Sequence, residues 1–243
     1  GQMDKATVQN PQFGLGISMY SSRTANAECG NSENYKGWYT SDGALFLYNG
    51  DQAQYAHEFW PTVDMTRLAG ITTNHVTGDL GNFSTHLSSK DWVGGSTAGE
   101  KFASIGMDFE AQFSDLTAKK SWFAFGDQFV ALGADITPTE GDYTETVVEN
   151  RKIKEDASNK VLVDGKEAVA NLGDKETISA NWAWLEANDQ GTSIGYYFPT
   201  TTEITLTRQQ NSGKWQDINQ SSNMINEDTA KELTHNYATI AVE

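Results

Sequence analysis

One cysteine, Cys29, and four prolines among 243 residues set the first limits. A lone thiol cannot build an internal disulfide framework and leaves no thiol pair for a zinc site. None of the prolines marks a linker, and no internal repeat or low-complexity tract occurs, so residues 1–243 read as one continuous domain. The four histidines, His57, His75, His86 and His235, lack metal-ligand spacing, and neither a G-x-S-x-G elbow nor a glycine-rich phosphate loop is present. Zinc enzymes, elbow-type hydrolases and nucleotide enzymes are therefore disfavoured. No D-x-D-x-D-G loop occurs either; calcium held by scattered Asp and Asn oxygens stays open, and no other cofactor is expected. No run approaches the roughly 20 apolar residues of a membrane helix. Basic residues are also short: 17 Lys and Arg against 33 Asp and Glu give a net charge of −16. Such a chain repels nucleic acid and anionic membranes, so neither is an expected partner.

Aromatic residues are plentiful, with seven Trp, nine Tyr and eleven Phe. They supply core volume and flat faces on which sugar rings can stack. The clearest periodicity is two: Ile105, Met107, Phe109, Ala111 and Phe113 alternate with polar or small residues. Shorter apolar runs follow at 122–125, 129–132, 161–163, 193–198, 204–208 and 237–242. Turn signals separate them at Asp164-Gly165, Gly141-Asp142 and Asn211-Ser212-Gly213. Helical periodicity is weak, and 223–234 reads as a short helix or a polar loop. Many strands with few helices predict an all-β, antiparallel sandwich. The run 237–243 reads as a strand without a following turn, which predicts that the natural fold continues beyond it.

The segment Ser21-Ser22-Arg23-Thr24-Ala25-Asn26-Ala27-Glu28-Cys29-Gly30-Asn31-Ser32-Glu33-Asn34-Tyr35-Lys36-Gly37-Trp38-Tyr39 is dense in polar residues and has the character of a functional loop. Its S-x-R, E-x-x-N-x-E-N and K-G-W elements, followed by Ser41-Asp42-Gly43, resemble the signature of polysaccharide lyase family 8, the hyaluronate, chondroitin AC and xanthan lyases. Further matches follow in family order. They are Phe59-Trp60-Pro61-Thr62-Val63-Asp64 with Arg67-Leu68 and Gly70-Ile71-Thr72-Thr73, Lys120-Ser121-Trp122-Phe123-Ala124-Phe125 with Val130-Ala131-Leu132-Gly133, Glu149-Asn150-Arg151, Gly195-Tyr196-Tyr197-Phe198-Pro199, and Gly213-Lys214-Trp215-Gln216-Asp217-Ile218-Asn219.

The resemblance implies a large antiparallel supersandwich of the galactose-mutarotase-like kind. It also implies that the chain lacks the N-terminal α/α toroid, where the family carries its catalytic Tyr, His and arginines, and the C-terminal strands. Substrate would lie between toroid and sandwich, as an anionic, uronic-acid-containing polysaccharide cleaved by β-elimination outside the cell. The matched positions imply roles. Glu28 is the glutamate that reaches across to the toroid's arginine and histidine, and Asn31 is the asparagine whose amide donates near the substrate carboxylate. Arg23 either contacts the glycan or fixes the loop through a carboxylate such as Glu33. Asn34 is a substrate-side or loop-forming group. Trp38 and Trp60 line the cleft or pack in the core, and Cys29 is a packed thiol. Two other readings stand beside the lyase: a non-catalytic carbohydrate-binding or structural sandwich, and a glycosidase, which would need a carboxylate pair and would leave no unsaturated product.

Overall fold

The computed structural model describes residues 3–83, 85–137 and 143–243. Fourteen strands account for most of their regular structure. In chain order they are β1 (Lys5–Gln9), β2 (Gly14–Ser18), β3 (Ala44–Tyr48), β4 (Thr72–Thr73), β5 (Val93–Ala98), β6 (Phe102–Glu110), β7 (Thr117–Phe125), β8 (Gln128–Thr137), β9 (Glu145–Ile153), β10 (Val161–Val163), β11 (Lys166–Glu167), β12 (Lys175–Leu185), β13 (Ile194–Gly213) and β14 (Leu233–Val242). Helix is confined to single turns, α1 (Phe59–Thr62), a 3-10 turn (Trp215–Asp217) and α2 (Glu227–Ala230). Among the described residues no helix is long and apolar enough to cross a membrane.

Every strand pair is antiparallel, in three sheets ordered β1-β2-β3, β5-β6-β7-β8 and β11-β10-β12-β13-β14-β9-β4. The expected all-β antiparallel sandwich is the observed architecture. The period-two signal is carried by β6, whose Met107 and Phe109, with Ala111 beyond its end, turn inward against Ile17, Met19 and Trp122. The strand ends at Glu110, earlier than the alternation suggests. Ala111 N donates to Leu116 O at 2.9 Å, and this turn carries the Phe113 ring against Gly78 instead of into a ladder. A second cluster gathers Val161, Val163, Ala183, Leu185, Ile204 and Ile240 along the seven-stranded sheet. A third joins Ala44, Phe59, Ile71, Val147 and Tyr237.

Asp164-Gly165 forms the predicted turn. Val163 pairs with Lys166 around it, and φ values of 47° and 83° give the type I′ geometry that matches strand twist. Gly165→Ala places an L side chain in left-handed backbone and should cost about 1–2 kcal/mol, read as a lower urea midpoint. The runs at 193–198 and 204–208 are not two strands but parts of the 20-residue β13. Its register jumps from Tyr197, opposite Trp182, to Thr202, opposite Ala180, so Pro199 sits in a bulge where no ladder N–H is needed. Asn211-Ser212-Gly213 does not turn, because its residues pair with His235, Thr234 and Leu233. The reversal occurs further on, through the 3-10 turn and α2, and 223–234 contains only that one helical turn before β14 begins. The Gly141-Asp142 signal lies outside the described residues.

Candidate functional site

Ser18 ends β2 and Ala44 begins β3, and the two residues are register partners. The polar segment is thus a long excursion from a closed hairpin, with both ends fixed by the ladder. Long structured loops of this kind are mostly functional. The descending limb is held by Asn26, which is buried. Its Nδ2 donates to Trp38 O at 2.7 Å and to Gln112 Oε1 at 3.3 Å, while Oδ1 accepts from Ser41 N at 3.3 Å.

The loop tip reverses at Gly30–Glu33, where Glu33 N donates to Gly30 O at 2.9 Å. Asn31 and Ser32 both adopt left-handed backbone, with φ of 52° and 64°. Asparagine tolerates this region better than most residues, through local hydrogen bonding of its short side chain. Gly30 has no room for a Cβ, because the Phe83 ring lies on it and Phe83 N donates to Cys29 O at 2.7 Å. Asn34, also left-handed with φ of 63°, donates its Nδ2 to Glu28 O at 2.7 Å. The tip is docked on the segment after the 3-10 turn: Tyr35 N donates to Ile218 O at 2.9 Å, Gln220 N to Ser32 O at 2.6 Å, and Asn34 N to Asn219 Oδ1 at 2.9 Å.

The Glu28 and Asn31 side chains project from this frame into solvent and make no hydrogen bond or ion pair with the described residues. Glu33 is equally exposed. Arg23 is tied down elsewhere. It pairs with Asp4 at 3.1 Å and donates to the carbonyls of Asp91 and Val93, so its carboxylate partner is Asp4 and not Glu33. Trp38 and Trp60 are both partly buried against the third core cluster. Trp38 Nε1 donates to Gly78 O at 2.7 Å, and Trp60 meets Phe59 edge-to-face at 5.2 Å. Cys29 is buried, and that burial pushes its thiol pKa up.

Two features escaped the sequence reading. Lys120, within the quoted Lys-Ser-Trp motif, is buried beneath the root of the loop, where Nζ donates to Asp42 O at 3.0 Å and Gly70 O at 2.6 Å. Burial lowers the Lys120 pKa and raises that of the buried Asp42, which draws the pair towards its neutral form. The signal was positional: Lys120 shares the inward parity of Ala118, Trp122 and Ala124 in β7. The second is Asn219, quoted only as part of a motif, whose partner lies 185 residues away. Among the described residues no group of three or more His, Cys, Asp or Glu is placed to hold a metal ion.

The sequence profile of polysaccharide lyase family 8, super-sandwich domain, matches residues 1–243. The xanthan lyase of Bacillus sp. (strain GL1) is 39% identical over 243 residues, 99% of this chain and 25% of that protein. The hyaluronate lyase of Staphylococcus aureus (strain NCTC 8325 / PS 47) is 40% identical over 224 residues, 90% of this chain and 26% of that protein. Among solved structures, Paenibacillus xanthan lyase superposes with a TM-score of 0.89 at 40% identity, covering 98% of this chain and 22% of that one. Streptomyces coelicolor A3 chondroitin AC lyase, solved in complex with chondroitin sulphate, gives a TM-score of 0.77 at 33% identity, covering 98% and 29%. The chain therefore spans about a quarter of the length of these relatives.

Proposed function

The chain belongs to polysaccharide lyase family 8 as its super-sandwich domain, and on that premise we propose that it forms one wall of a cleft in which a uronic-acid-containing glycan is cleaved by β-elimination. The opposite wall is an α/α toroid of the same polypeptide, and the substrate is a polymer of the hyaluronan, chondroitin or xanthan type. Such polymers do not enter cells, which places the enzyme outside them.

Elimination removes the proton on C5, beside the uronate carboxylate, as the C4 oxygen departs. The proton is weakly acidic while the carboxylate keeps its full charge. Hydrogen bonds to that carboxylate stabilise the enolate-like charge that develops in the transition state. A positioned base and acid complete the transfer, with a Tyr of the toroid as base, acid or both in this reading. The amide of Asn31 supplies one such hydrogen bond. The carboxylate of Glu28 accepts from the toroid's arginine and histidine, fixing their orientation and keeping the cation in place. With a net charge of −16 the sandwich would repel a polyanion, so the basic surface that draws substrate in belongs to the toroid.

The observation that carries this reading is the contrast inside the loop. Asn26 and Asn34 are committed to holding its backbone, whereas Glu28 and Asn31 stand exposed without partners among the described residues. The test is the ultraviolet absorbance of the C4–C5 unsaturated uronate, followed on hyaluronan, chondroitin and xanthan. The expected result is product from the polypeptide that joins this chain to the helical domain and none from residues 1–243 alone. Absence of product from the joined protein on all three polymers would replace the lyase by the non-catalytic glycan-binding reading.

A further inference from the structure

We propose that Asn219 is a positioning residue for the lyase site: it sets the left-handed backbone at Asn34, and through Asn34 the placement of Glu28 and Asn31. This rests on the function proposed above.

The loop tip has little structure of its own. Three of the four residues from Asn31 to Asn34 lie at positive φ, 52°, 64° and 63° for Asn31, Ser32 and Asn34, a region that costs a residue with a Cβ on the order of 1–2 kcal/mol each. Such a conformation persists only where its surroundings over-determine it. The surroundings here are the connection between β13 and β14. Glu33 bridges Asn219, and backbone hydrogen bonds from Tyr35 to Ile218 and from Gln220 to Ser32 flank that bridge. Among the described residues the only side chain of the connection that hydrogen-bonds the tip is that of Asn219, whose Oδ1 accepts from Asn34 N at 2.9 Å. Asn34 passes the constraint on, because its Nδ2 holds Glu28 O at 2.7 Å. The chain of contacts therefore runs from Asn219 to Asn34 to the backbone of Glu28, and the turn carrying Asn31 lies between.

The anchor is itself firmly held. Asn219 N donates to Trp215 O at 2.9 Å, Lys214 N to Asp217 Oδ2 at 2.9 Å, and Gln216 reaches Thr229 of α2 at 3.3 Å. At its start Gly213 lies so close to the Pro61 carbonyl that no Cβ fits. A β13–β14 connection pinned at α1 and braced internally through α2 can thus act as a template for a loop some 185 residues away in sequence.

The experiment uses the joined protein and follows unsaturated uronate under steady-state conditions. Asn219→Ala should lower kcat roughly tenfold, within the range by which small misplacements slow enzymes, with KM changed by less than about twofold. Asn219→Asp, which keeps the accepting oxygen, should restore most of the rate. Asn34→Gly keeps the backbone conformation but loses the amide that holds Glu28 O, so it gives a second route if Asn219→Ala folds poorly. The double variant should be about as slow as the slower single variant, since both changes break one chain of contacts. If Glu28→Ala lowers kcat on the order of a hundredfold while Asn219→Ala and Asn34→Gly both keep the parental kcat, the positioning role is wrong and the site reading stands. A Glu28→Ala protein as active as the parent overturns the site reading, and the positioning role with it.

Discussion

Replacing Glu28 by alanine in the joined lyase should lower kcat on the order of a hundredfold, about 2.7 kcal/mol of transition-state stabilisation. The same change should leave the stability of the sandwich within about 0.5 kcal/mol, as for other surface positions without structural partners. The two halves of the prediction come from one fact, that the carboxylate is exposed and touches none of the described residues in a hydrogen bond or ion pair. A side chain without such contacts can be removed with little effect on its own fold, so any lost rate would reflect the role proposed for it across the cleft. Glu28→Gln retains the accepting oxygen but not the charge, and should fall between parent and alanine. The measurement pairs steady-state absorbance with urea melts of each variant. A kcat within about threefold of the parent would mean that Glu28 orients nothing.

The opposite behaviour is expected at Glu145, whose side chain is fully buried. Arg67 grips it through Nε at 2.6 Å and a second nitrogen at 3.0 Å, Tyr143 donates to it at 3.2 Å, and His75 Nε2 lies 3.2 Å away. Glu145→Ala leaves the largely buried Arg67 without its counter-charge, and should cost about 3–5 kcal/mol. Burial alone would raise the Glu145 pKa, but contact with His75 and Arg67 outweighs it and holds the carboxyl at about 2. Between that value and roughly 4.3, where a glutamate titrates in an unfolded chain, the unfolded state binds more protons than the folded one. The carboxylate's stabilisation is therefore complete above that upper value and is lost as the pH falls towards 2. The urea midpoints of the parent and Glu145→Gln should differ most near neutrality and converge across this acid window. A gap that stays constant down to pH 2 would show that the ion pair is not its source.

Elements whose side chains alternate were legible in the sequence, and those built from buried polar groups were not. β6 and β10 announce themselves through apolar residues at period two or in a short run. β9 does not, because it buries Glu149, Asn150, Arg151 and Lys152. Those four residues look like a solvated face until their partners are known. Arg151 donates to Leu47 O and Asn49, and Lys152 to the carbonyls of Ala53, Ala56 and His57, all about a hundred residues earlier. The break read between 198 and 204 came from two separate apolar runs. It failed because a bulge spares Pro199 the ladder bond it cannot make. The site followed the same division. Glu28 and Asn31 were found by resemblance to a family, since no local periodicity distinguishes them from other loop residues. Asn219, Lys120 and the Arg67–Glu145 pair depend on contacts between distant segments, which spacing cannot reveal.

The seven-stranded sheet has a consequence for how the chain reaches its native state. β14 lies between β13 and β9, so the strand made last among those described joins β13, made just before it, to β9, made much earlier in the chain. Until it is synthesised, β9 and β13 each present an unpaired edge, with inward side chains such as Ile153 and Leu206 lacking their cover. Pairings of such long sequence separation form slowly, because the loop must close before the contact repays it. During translation the half-built sheet is thus the stage most open to pairing with a neighbouring chain, and slowed release of residues 233–242 would lengthen that exposure.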